Sequence, residues 1–332
     1  MKKTLIVLMG ALVLLAIVLM MDRQRDSTRL GDRFLFDTTQ KDGIASIRIV
    51  MLKDTAVLQK VGAKWVSLPD SFPLDTTKIR KGLSYLIGFQ SKEMLSTNPS
   101  RLVEYGLDSN QAKHIEWIGS GGKKIQVVVG KTSGTDYGST YWKWEDKPEV
   151  YSTPGSFTWE LSARSSDWKD RNLFTLDTKE IKSLQVDWRD TADKPFHFKL
   201  EAVKDSNLNM TEPEAASVKK VDVNNLISQI AQFTIDDFVT PNDTDAAKAR
   251  LDTPMVSIKI GLKNGKFYEI HGGRTTNGMT YSQHPFRKDM IKIAEWRFKT
   301  FEKQPYELMS DSVQAKAAMP VQPKKTAVKK HR

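Results

Sequence analysis

Several short stretches carry residue types able to do chemistry. "VVVGKT" (Val127 to Thr132) ends as a phosphate-binding loop ends. Such a loop also needs a glycine five positions before the last one, where this chain has Ile125, and a helix to follow, where this chain turns towards a strand. A comparable stretch, "HGGRTT" (271–276), replaces the lysine by Arg274. Both read as structural turns. Ser166 and Lys169 fit S-x-x-K, and Lys131-Thr132-Ser133-Gly134 approaches K-T-G, the pair used by serine acyltransferases. Their order is reversed and no S-D-N-like element lies between them, so the pairing is read as chance. The five histidines, His114, His197, His271, His284 and His331, show no ligand spacing, and the chain has no cysteine. Asp236-Asp237 and Asp243/Asp245 read as solvated caps rather than a general acid and base. The expectation is a non-enzyme with no catalytic residue, no metal site and no cofactor.

The aromatic residues are the most suggestive. Tyr141, Trp142, Trp144 and Tyr151 fall in "STYWKWEDKPEVYSTP", which reads as a hairpin turning at Glu145 to Pro148. Strand alternation puts Tyr141 and Lys143 on one face and Trp142 and Trp144 on the other. Two tryptophans on one face serve core packing or a module interface, or else form a platform for a protein or a glycan. These four residues are the candidate partner surface.

Those residues need a scaffold, and its length allows two domains: the chain has 332 residues, 39% hydrophobic and 27% charged. The net charge of +11 is concentrated at the ends. Residues 1–30 carry five Lys/Arg against two Asp and residues 309–332 six against one, leaving 40 basic and 37 acidic between them. No nucleic-acid partner is implied.

At the start, Lys2 and Lys3 precede an uncharged run of eighteen residues, Thr4 to Met21. As a helix it would span about 27 Å, close to the apolar thickness of a bilayer. The run is long for a cleaved signal and no small-residue cleavage site precedes Asp22, so it reads as a retained signal anchor. The basic residues place the N-terminus in the cytoplasm. The remainder would stand outside the cytoplasmic (inner) membrane of a bacterium, in the periplasm where there is one.

The rest of the chain says nearly the same thing twice. "DRFLFDTTQKDGIASIRIV" (32–50) resembles "DRNLFTLDTKEIKSLQV" (170–186), with Ile44, Ser46, Ile47 and Ile49 answering Ile181, Ser183, Leu184 and Val186 at an offset of 137. Amphipathic helices follow in both. One carries Ile79, Leu83, Leu86 and Ile87 after a cap at Asp75 or Thr76; the other carries Val223, Leu226, Ile227 and Ile230 after Asp222. Then "YGLD" (105–108) answers "ARLD" (249–252), each before a glycine-turn hairpin that ends in Lys131-Thr132 or Arg274-Thr275, with Tyr141 or Tyr281 beyond. Only the first copy adds the aromatic hairpin.

The implied fold is α+β: two tandem modules, each a mainly antiparallel sheet with one main amphipathic helix, behind a single transmembrane helix. The boundaries are 1–29 for the cytoplasmic stub, anchor and linker, 30–168 and 169–308 for the modules, and 309–332 for a disordered basic tail.

The order of "KWVSLP" (64–69), helix, "NPSRLVEYGLD", glycine-turn hairpin, "VVVGK", "VYSTP" and "WKDRNLFTLDTKEIKSLQV" resembles the bacterial domain-of-unknown-function family 4340, over roughly residues 30–305. The resemblance implies an N-terminal anchor and an auxiliary role beside an ABC-type transport system of the gliding-motility kind. The implied partners are then subunits of an inner-membrane complex, with the bilayer met through residues 4–21. It implies no catalytic residue. A cell-envelope glycan or peptidoglycan binding module is the alternative. The second copy departs in having Arg250 where the first has Gly106, so a turn built on positive φ is expected to be altered there.

Overall fold

A computed structural model describes residues 33–34, 43–87, 90–91, 93–108, 110, 112–134, 138–156, 158–189, 195–203 and 207–311. The expected anchor at 4–21 lies outside them, as does the expected tail from residue 312 on; its first residues belong instead to the second unit, where Met309 is buried and pairs with Val218. Among the described residues no helix is long and apolar enough to cross a membrane. The chain divides into two compact units, Met1–Asp170 and Arg171–Arg332.

The first unit contains β1 (Arg33–Phe34), β2 (Ile44–Met51), β3 (Asp54–Val61), β4 (Lys64–Leu68), β5 (Phe72–Pro73), helix α1 (Thr76–Ile87), β6 (Gln90–Ser91) and β7 (Glu93–Ser96). A 3-10 segment, Pro99–Tyr105, leads into β8 (Lys113–Gly119), β9 (Lys124–Thr132), β10 (Ser139–Trp144) and β11 (Val150–Pro154). Nine strands form one antiparallel sheet in the order β5-β4-β3-β2-β8-β9-β10-β11-β7, while β1 pairs with β6. Alternation in β2 buries Ile47 and Ile49, and a register shift between Ile44 and Ser46 returns Ile44 to the same core. Helix α1 starts where Asp75 accepts hydrogen bonds from the Thr77 and Lys78 amides, at 2.8 and 3.2 Å. Its Ile79, Leu83 and Leu86 are buried, as their spacing predicts. Gly82 leaves room for an indole. A Cβ there would lie 2.8 Å from the ring of Trp168.

The second unit contains β12 (Ile181–Trp188), β13 (Phe196–Val203), β14 (Asn207–Glu212), helix α2 (Lys220–Ala231), β15 (Asp237–Phe238), β16 (Val256–Leu262), β17 (Phe267–Thr276), β18 (Met279–Gln283), β19 (Met290–Ala294), and short helices α3 (Glu295–Lys299) and α4 (Pro305–Leu308). The sheet order is β14-β13-β12-β16-β17-β18-β19-β15, again antiparallel. Leu184, Val186 and Trp188 alternate inwards along β12, and Val223, Leu226, Ile227 and Ile230 of α2 are buried. The two units are therefore sheet-dominated α+β structures with few helices.

Three expectations need correction. Helix α2 begins at Lys220, so Asp222 sits inside its first turn, where its charge meets the helix N-terminal dipole but does not cap. The second unit does have a final hairpin, β18–β19, at the place of the aromatic hairpin β10–β11. The turn at Arg250 is not altered: Arg250 takes φ +53, close to the +64 of Gly106, and bears an L-residue's strain to do so.

Candidate functional site

The aromatic residues singled out by sequence lie in β10 and β11, and the structure covers most of them. Trp142 is wholly buried and Tyr151 is 7% exposed, paired across the hairpin with ring centroids 5.0 Å apart. Trp144 meets Trp142 edge-on at 5.7 Å and packs, half-buried, against the same core. Tyr141 faces the other way, as alternation predicts, and its ring meets Tyr105 at 5.1 Å. Burial, followed by the negative charge of Glu149, raises the Tyr151 phenol above its ordinary pKa. The surface reading fails for Trp142 and Tyr151. The buried face of α1, with Ile79 and Leu86, shares one core cluster with Trp142 and Tyr151 and closes over the face that sequence could only assign to a side.

The lysine-threonine motif is strand, not loop. Gly130 is interior to β9, where a Cβ would stand 2.2 Å from the Tyr105 carbonyl oxygen, so its glycine serves a close backbone approach. Lys169 does not meet Ser166. Its ammonium reaches Asp70, whose other carboxylate oxygen accepts from the Ser67 hydroxyl at 2.5 Å and the Phe72 amide at 3.2 Å. Burial alone would raise the Asp70 pKa, but the hydrogen bonds from Lys169 and Ser67 and the Lys169 charge outweigh it and hold the carboxyl below its usual range. Ser67 is fully buried, and its hydroxyl, with Asp70 and Lys169, fastens the β4–β5 turn.

One member of each acidic pair, Asp236 and Asp243, is tied to other elements rather than being a solvated cap. Asp236 accepts two bonds from Arg297, at 2.9 and 3.2 Å, and one from the Ala294 amide at 2.7 Å. Its carbonyl accepts from Arg171, which gives the arginine of "DRNLF" a structural task. Asp243 takes the Tyr281 hydroxyl at 2.8 Å and the Lys292 ammonium. Those two hydrogen bonds lower the Asp243 pKa despite some desolvation. The described histidines sit apart, His114 against Glu145 at 2.9 Å and His271 against Ser257 at 2.9 Å. Among the described residues no group of three or more His, Asp or Glu could hold a metal.

One constellation escaped the sequence reading. Arg189, Arg250 and Arg274 line an open cavity of about 680 Å³ in the second unit, together with Thr253, Pro254 and Met255. Backbone pairing positions two of the arginines. The Arg189 amide, just past β12, donates to the Met255 carbonyl at 2.7 Å, and the Arg274 amide in β17 donates to the Ala249 carbonyl at 2.7 Å. A register shift between Gly272 and Thr275 re-aims Arg274, while Gly273 lets β17 approach so closely that a Cβ would lie 2.0 Å from Ala249 oxygen. Arg250 hangs from the left-handed turn, a conformation costing an L-residue about 1–2 kcal/mol. Among the described residues none of these guanidinium groups has a carboxylate within ion-pair distance.

The architecture defines a class: a pair of antiparallel-sheet α+β units. Residues 65–254 match the model of the family described as "Domain of unknown function (DUF4340)", and the chain belongs to that family. No curated protein and no solved structure matches the chain.

Proposed function

We propose that this protein is a membrane-anchored, non-catalytic accessory or scaffold protein whose two units stand outside the cytoplasmic membrane and engage an inner-membrane assembly of the ABC transport type. The carrying observation is the uncharged run Thr4 to Met21 behind Lys2 and Lys3, placed ahead of two compact sheet units. Anchoring would hold the units near the bilayer and raise their effective concentration for membrane partners. Family membership supports the accessory role through the resemblance described above. The glycan-binding alternative, which would use the Trp142/Trp144 face, is weakened because Trp142 is wholly buried and Trp144 half-buried.

The two units are, in this reading, copies of one module. The order β4-β3-β2-β8-β9-β10-β11-β7 matches β14-β13-β12-β16-β17-β18-β19-β15 strand for strand. Finer features agree as well. Register shifts fall at Ile44/Ser46 and at Ile181/Ser183, and Gly130 and Gly273 press on the carbonyls of Tyr105 and Ala249, one residue before the positive-φ turns at Gly106 and Arg250.

In-cell crosslinking of the tagged full-length protein, with a secreted anchor-deleted form as control, tests the accessory role. Enrichment of ABC-type membrane subunits with the full-length form is the expected result. Recovery of only glycan fragments or the same abundant proteins from both forms would overturn it.

A further inference from the structure

We propose that the cavity bounded by Arg189, Arg250 and Arg274 binds a phosphorylated ligand, with the phosphoryl group seated among the three guanidinium groups. Three like charges gathered around one cavity repel one another unless an anion joins them. Among the described residues no carboxylate pairs with any of the three; even Asp252, in the same loop as Arg250, forms no ion pair with them.

Arg250 supplies the second argument. At the corresponding turn of the first unit, Gly106 takes positive φ without strain. Here an arginine is held in that conformation, and among the described residues its side chain has no hydrogen bond or ion pair to compensate. Strain of this kind, retained on a charged side chain that faces a cavity, points to a ligand contact. The first unit lacks the constellation. Lys131 lies beside Gly106 there, and the residue that follows β2, as Arg189 follows β12, is Leu52.

The number of donors selects the anion. Each guanidinium presents five N–H groups in a planar fork, and one such fork already satisfies a carboxylate. Three forks match a phosphoryl group, whose terminal oxygens accept from several directions. At about 680 Å³ the cavity also exceeds a lone phosphate, and the buried Pro254 with half-buried Met255 offers an apolar wall to whatever the phosphoryl group is attached to. That attachment could be a lipid or a soluble organic group; the phosphoryl chemistry is common to both.

The test uses the purified full-length chain in two arms at one fixed, low ionic strength. Calorimetric titration of the detergent-solubilised chain with inorganic pyrophosphate reads the soluble arm; the same titration with a short-chain phosphatidic acid, against the matching phosphatidylcholine, reads the lipid arm without vesicles into which the proposed anchor would itself insert. Arg250→Gly and Arg274→Gln should each weaken binding by about tenfold or more. Lys131→Gln, in the first unit, should leave it unchanged. Arg250→Gly relieves the turn, so its thermal midpoint should be equal to or above that of the parent, separating lost binding from lost folding. Arginine-dependent binding of pyrophosphate but not of phosphatidic acid assigns a soluble phosphate ester; arginine-dependent binding of phosphatidic acid assigns a lipid headgroup. Failure of both probes to bind, or binding that neither arginine substitution changes, overturns the proposal.

Discussion

Trp142 shows how a single side chain separates two readings of one pattern. Alternation along β10 assigns its face, but whether that face meets solvent depends on what is folded over it, and here it has no exposure at all. Trp142→Ala should therefore cost about 3–5 kcal/mol of stability, measured by urea unfolding, whereas half-buried Trp144→Ala should cost clearly less. Equal and small losses would mean that the core does not depend on this ring. The carboxyls of Asp70 and Asp243 add a dependence on pH. Both have folded-state pKa values below the unfolded value of about 3.9, Asp70 through Lys169 and Ser67, Asp243 through Lys292 and Tyr281. Their contribution is fully present above that unfolded value and is lost as pH falls through the lowered folded values. Unfolding midpoints measured from pH 6 down to pH 2 should fall steeply below about pH 4. Asp70→Asn and Asp243→Asn should each be less stable at pH 6 and show a shallower fall. Parallel curves for parent and variants would remove the pairing account.

The helices make a matched comparison one level up. Asp75 accepts two amides at the start of α1, whereas Asp222 lies within the first turn of α2 and caps nothing. Asp75→Ala should cost about 0.5–2 kcal/mol, and Asp222→Ala less than 1 kcal/mol, roughly what a charge near the helix dipole is worth. Calorimetric unfolding distinguishes them, and a larger loss at Asp222 would reverse the assignment of the caps. This contrast also marks what was legible in the sequence. The apolar spacing of both helices and the alternation of β2 and β12 are local, so Ile79, Leu83, Val223 and Ile230 are buried where their periodicity puts them. The start of α2 was misplaced because Lys219, which precedes it, offers no side-chain cap to recognise. The β18–β19 hairpin was missed because its connecting segment runs from His284 to Asp289 without a compact turn signature. The arginine cavity could not be read at all. Its members are distant in sequence and meet through the pairing of β12 with β16, the bulge in β17 and the positive-φ turn at Arg250.

For the whole molecule the decisive question is sidedness, because an accessory role outside the membrane requires both units on the far side of the run Thr4 to Met21. Bilayer thickness and the positive-inside bias argue for that arrangement: the run would span about 27 Å as helix, with Lys2 and Lys3 behind it. The absence of cysteine makes the chain a clean background for labelling. Lys123→Cys lies on an exposed turn of the first unit and Lys266→Cys on one of the second, while Lys3→Cys reports the other end of the run. In intact spheroplasts a membrane-impermeant maleimide should modify positions 123 and 266 to equal extents and reach position 3 only after permeabilisation. Deleting residues 1–29 while supplying a cleavable export signal should leave positions 123 and 266 reactive on a protein that no longer sediments with membranes. Protection of both turns in intact cells would put the units in the cytoplasm and end the extracytoplasmic reading, while leaving the phosphoryl site in the second unit to be judged by its own titrations.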